Sequence, residues 1–102
     1  MSSDAARDRL AAKAKRAKVS ATTGLDMQTV ADIDRLPELA AHIATGETSM
    51  RALYAERDAA ILRLMARAKR LGGGSHLSHA VVGHLAGGSK SLPGRVLLHR
   101  DG

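Results

Sequence analysis

Lys13, Lys15, Arg16 and Lys18 put four positive charges into one short stretch, and Met27, Gln28 and Thr29 open the next amphipathic one. These residue types serve two chemistries. Ammonium and guanidinium groups hold phosphates and fix position without reading sequence. A Gln amide can pair bidentately with adenine, a Met can touch a thymine methyl, and a Thr hydroxyl can meet a phosphate or a base edge. Arg35, at the far end of the same stretch, would add a phosphate contact. The partner this combination predicts is double-stranded DNA.

The elements that must position these side chains are two short helices and a tight turn. A DNA-binding helix-turn-helix needs a small residue where its helices cross and a Gly four residues on for a left-handed turn. An apolar residue follows, with a branched apolar residue six beyond the Gly. Ser20, Gly24, Leu25 and Val30 occupy those places, and Val19 and Ile33 are expected to add core contacts. Asp26 stands where the second helix takes its cap. The motif is placed at about residues 16–36, with 26–35 as the groove-entering helix and Gly24 as its pivot. The alternative is a plain helical hairpin.

The string RLPELAAHIATGETSMRALYAE follows directly. Leu36, Pro37, Glu38 and Leu39 open it, Gly46, Glu47 and Ser49 interrupt it, and Arg51, Ala52, Leu53 and Tyr54 resume it. Together with the turn before it, residues 16–56 resemble the helix-turn-helix segment of ParB-like and KorB-like DNA-binding proteins of plasmids, phages and chromosomes. The resemblance implies a DNA-binding role in transcriptional control or replicon partition. The nucleotide-binding portion that precedes this segment in partition ParB proteins has no counterpart in the 18 or so basic, Ala-rich residues upstream. A nucleotide-driven sliding clamp is therefore not implied. Asp26, Asp32 and Asp34 on the groove-entering helix would repel phosphates and favour a second class, a helical interaction or assembly protein such as a phage packaging adaptor.

Other chemistry is largely excluded. Cysteine is absent, which removes disulfides, thiolate nucleophiles and thiolate-bound metals. GHLAGGSKS at 83–91 approaches a phosphate-binding loop, but Ser89 separates the Gly pair from Lys90 and no α/β sheet is predicted around it. His76, His79, His84 and His99 fit no compact ligand spacing, so no metal or cofactor is expected. Asp32 and Asp34, two apart, sit on different helix faces, and no nucleophile pairs with a base; an enzyme is not predicted. Residues 77–98 vaguely suggest a second helix-turn-helix, but Pro93 would fall inside its second helix and Gly87 with Gly88 would loosen the turn, so on sequence it is rejected.

Composition sets the frame. The 102 residues are 44% hydrophobic with Tyr54 the sole aromatic, so the core is aliphatic and the fold all-α. The net charge of +6 is uneven. Residues 1–18 hold six bases against two acids, 19–49 one against five, 50–71 six against two, and 72–102 three against one. A basic helix capped at Ser3 or Asp4 comes first, the turn and second helix follow, and Pro37 opens a third helix, for which Asp34 would be the cap. Thr48 or Ser49 caps a longer amphipathic helix over about 50–71.

From Leu36 to Leu71, apolar residues recur every three or four positions with Gly46, Arg57 and Arg67 interrupting. That pattern allows a coiled-coil seam, and hence a homodimer through the 50–71 helix, or ordinary amphipathic packing. In the same helix Arg63, Arg67, Lys69 and Arg70 form a second basic cluster near its end. Residues 72–102 hold eight of the ten Gly and four of the five His, which predicts a flexible, loosely ordered tail behind a 1–71 domain. No run is long enough to span a membrane, and MSSDAARDRL lacks the apolar stretch of a signal peptide, so a cytoplasmic protein is expected.

Overall fold

Ala-rich and Leu-rich sequence with Gly and Pro confined to a few places should fold into helices joined by short turns, and it does. The computed structural model describes residues 2–46 and 50–99, in helices and the short connections between them. Helix α1 spans Ser2–Thr23, α2 Met27–Thr45 and α3 Met50–Leu71. A 3-10 turn at Gly72–Ser75 leads to the short helices α4 (His79–Leu85) and α5 (Leu92–His99). Among the described residues no helix is long and apolar enough to cross a membrane.

Helix α1 forms from strong helix formers, with Asp4 inside its first turn rather than capping it. Its buried stripe is Ala14, Ala17 and Ala21. Those small side chains let its backbone come close to α2, α4 and the 3-10 turn. Val19 is 64% exposed and not in the core as expected. At about 100° per residue it falls on the face opposite Ala17 and Ala21.

Asp26 caps α2 as the sequence indicates, its carboxylate accepting from the Thr29 N–H at 3.2 Å. The helix does not stop before Pro37. It runs on to Gly46, whose left-handed conformation (φ 65°) lets its N–H reach the carbonyls of His42 and Ile43. A proline inside a helix removes one backbone bond. Here buried Ile33 and Leu36 precede it and Leu39 follows it, all on the face turned to α3. Packing across both halves thus holds the helix in one piece, and the third helix expected at Pro37 is the second half of α2. The cap expected at Thr48 or Ser49 lies outside the described residues.

The three-and-four spacing from Leu36 to Leu71 describes a contact within one chain. Leu36 and Leu39 on α2 and Leu53, Ala60 and Leu64 on α3 are buried, and α2 and α3 pack side by side. The break at Gly46 folds the stripe back onto itself. These residues of the stripe are covered within the chain, whereas Leu71 at its end is 45% exposed.

The segment from Leu77 to Val96 contributes to the core. Leu77, Val81, Val82, Leu85, Ala86 and Val96 join Ile33, Leu36, Ile61 and Leu64 in one buried cluster. The physical reason is the thinness of α1: alanines leave apolar area on α2 and α3 that the C-terminal helices cover, at about 1.5–3 kcal/mol for each large side chain fully buried. The boundary expected at Gly72 therefore does not separate a domain from a tail over 72–99.

Candidate nucleic-acid interface

The α1–α2 corner has the expected break with an unexpected pivot. Gly24 keeps an ordinary φ, and Leu25 takes the left-handed conformation at φ 58°. Leu25 is 83% exposed and packs on nothing expected of it, whereas Ile33 is buried and Val30 half-buried. The N–H groups of Gly24, Leu25 and Asp26 close the turn onto the carbonyls of Ser20, Thr22 and Ala21 at 2.9–3.0 Å. The Ser20 hydroxyl donates to the Gly74 carbonyl at 3.1 Å. Ser20 thus ties the corner to the C-terminal part.

The carboxylates of α2 are matched by cations. Asp32, nearly fully buried, accepts two bonds of 2.8 Å from Arg63 and one of 3.1 Å from the Gln28 amide. Asp26 accepts from Arg67, and the Arg70 guanidinium lies 3.8 Å away. The Thr29 hydrogen bonds foremost, and Arg67 with them, hold the Asp26 carboxyl below the usual aspartate range. Asp34 pairs with Lys18 at 2.9 Å, both half exposed. Arg35 bridges Glu38 at 3.0 Å and Glu56 at 2.6 Å, and the Arg35 bonds lower the Glu56 pKa. The basic cluster of α3 is thus partly the counterion set of α2.

This pairing reassigns the expected contact residues. Lys13, Lys15 and Arg16 are exposed on α1 and enter none of the described ion pairs, and the same holds for Arg7 and Arg9 earlier on that helix. Lys18 and Arg35 are exposed or half-buried but held by acids. Met27 is 59% exposed, and Gln28 is at the surface with its amide directed to Asp32. Thr29 is 6% exposed, so it presents no hydroxyl to a groove; it sits on the face of α2 turned inward with Asp32, Ile33 and Leu36. No group of three or more His, Cys, Asp or Glu among the described residues is placed to hold a metal ion.

Sequence reasoning missed the acid-to-base matching of α2 and α3. The signal was present: a segment five-to-one acidic precedes a segment six-to-two basic, and an antiparallel hairpin brings such faces together. Comparisons with protein-family models, with curated proteins and with solved structures return no match.

Proposed function

We propose that the protein is a small, non-enzymatic, all-helical module that binds duplex DNA, held chiefly through phosphates by exposed basic residues of α1. The observation that carries this reading is the distribution of unmatched charge. Arg7, Arg9, Lys13, Lys15 and Arg16 lie outside every described ion pair, while the acids that would repel a phosphate at the α1–α2 corner are neutralised by Lys18, Arg63 and Arg67. Transcriptional control or replicon partition is the setting that the ParB-like segment implies. Dimerisation through the apolar stripe of α3 is not part of the proposal, because that stripe packs within the chain.

A titration of labelled duplex over a range of salt tests it. Log affinity should fall linearly with log salt, by about 0.9 per phosphate neutralised, and Lys13→Ala with Lys15→Ala and Arg16→Ala should flatten that slope by roughly 2–3. Absence of binding by the parent protein at low salt would overturn the reading.

One observation favours a second reading, docking of a protein partner: Val19, Leu25 and Met27 are large apolar side chains left exposed around the α1–α2 corner. Under that reading the triple variant binds its partner unchanged, and Leu25→Ser abolishes binding.

A further inference from the structure

The turn between α4 and α5 meets two of the helix-turn-helix requirements, a glycine at a close backbone approach and a left-handed Gly four residues on. Gly83 lies on α4 where the turn leading to α5 passes close: a Cβ there would stand 2.2 Å from the Ser89 carbonyl oxygen and 2.8 Å from its carbon. Four residues on, Gly87 takes the left-handed conformation at φ 74°. Six further, Pro93 is fully buried, and Val96 is buried with it. Gly88 stands where an apolar residue is expected, and Leu92 lies over it, so a Cβ would meet the Leu92 side chain at 2.9 Å. The chain closes through Gly87 N–H to His84 O at 3.1 Å and Gly88 N–H to Gly83 O at 2.9 Å. By contrast, a Cβ on Gly24 would touch nothing nearer than 3.5 Å, and Gly24 is not left-handed.

Pro93, which argues against a second motif in the sequence, is compatible with it in the structure. The Arg95 N–H reaches the Ser91 carbonyl at 3.1 Å, so Pro93 sits in the first turn of α5, where a backbone N–H has no helical partner to lose.

The outward face of α5 has a composition of its own. Ser91, Arg95 and Leu98 are exposed at spacings of four and three, one stripe on the helix, and Ser89 and Lys90 are exposed on the turn before it. The sequence carries no Asp or Glu from Ala59 to His99. Lys90 and Arg95 enter none of the described ion pairs; Asp58, which lines the same shallow cavity as Arg95, is bound by Arg57 at 2.9 Å. Helix α1 packs on α4, and Lys13 shares a small cavity with Ser78, the cap of α4.

We infer that α4 and α5, not α1 and α2, form the groove-entering pair, with Arg95 directed at base edges, Leu98 at thymine methyls and Lys90 at the flanking phosphates. This rests on the DNA-binding reading and deepens it. A guanidinium on the exposed stripe of the second helix can pair bidentately with guanine. The outward face of α2 offers instead Asp34 and Glu38, each already bound to a cation.

Selection of bound molecules from a randomised duplex library, followed by sequencing, tests the assignment. The parent should enrich a short motif. Arg95→Ala should lose enrichment at one or two of its positions and bind the enriched duplex about 5- to 150-fold more weakly. Lys90→Ala should weaken all sequences alike. Gln28→Ala should leave the motif unchanged. Arg95 and Lys90 are exposed and outside ion pairs, so unchanged melting temperatures will confirm intact folding. A motif lost with Gln28→Ala and kept with Arg95→Ala would overturn the inference and leave DNA binding standing. So would binding without any enrichment. A parent that retains no library DNA at low salt would overturn both.

Discussion

Gly83→Ala, set against Gly24→Ala, tests where the chain has no room for a side chain. At Gly83 the new methyl would stand 2.2 Å from Ser89 O, 2.8 Å from Ser89 C and 3.2 Å from Lys90 Cα, all backbone. No rotamer change relieves that overlap, so the turn must move away from α4 by about an ångström, disturbing the buried contacts of Val82, Leu85 and Val96. Overpacking of this kind costs typically 1–3 kcal/mol when side chains can adjust, and the upper end applies where only backbone can. At 4–8 °C per kcal/mol for a domain of this size, the melting temperature should fall by about 10–20 °C. At Gly24 the nearest atom is 3.5 Å away and φ is ordinary, so the same methyl should change stability by less than about 1 kcal/mol, in the stabilising direction if the unfolded chain is stiffened. Thermal unfolding followed by far-ultraviolet circular dichroism reads both variants. Equal losses, or a larger loss at Gly24, would refute the argument that the close approach lies between α4 and the turn leading to α5.

Three further outcomes follow from the same geometry. Leu25→Gly should raise stability by about 1 kcal/mol, because the residue is left-handed and 83% exposed and loses no packing when truncated; a loss on chemical denaturation would contradict that. Arg63→Met should destabilise by roughly 2 kcal/mol, less than the 3–5 of a fully buried pair because the arginine is half exposed, whereas Lys18→Met should cost under about 0.5 kcal/mol; denaturant midpoints showing equal effects would refute the ranking. The folded-state pKa of Asp26 lies below its ordinary value of 3.8, so the stability it contributes is full above that value and is lost as pH falls through the lower folded one. Asp26→Asn keeps a cap acceptor, and the fall in melting temperature below about pH 4 should be shallower than in the parent.

The all-helical fold, the break before Asp26, the cap itself and the span of α3 follow from helix formers, cap residues and Gly positions, which act locally. What sequence could not place depends on neighbours. Pro37 reads as a helix start because proline suits a first turn, and only the buried Ile33, Leu36 and Leu39 on both sides of it show why α2 continues. The Leu36 to Leu71 stripe has one spacing whether it meets another chain or folds back at Gly46. The Gly content of residues 72–102 resembles a linker, yet Gly83 is in the interior because of Ser89, a contact no local rule supplies. At the site, Lys13, Lys15 and Arg16 are exposed on the first helix, but the burial of Thr29 and the capture of Arg35 by Glu38 and Glu56 depend on the approach of α3.

In the proposed binding mode DNA lies along α1 and across α5 and leaves the outward face of α2, with Asp34 and Glu38, free. Backbone amide resonances of the labelled protein, followed during titration with a duplex, test it most directly. Progressive shifts are expected centred on Lys13–Arg16 and on Ser89–Leu98, both abolished by high salt, with Ala31, Asp34 and Glu38 unmoved. Shifts concentrated on Met27–Glu38 with none beyond Gly83, or no shifts at low salt, would contradict it.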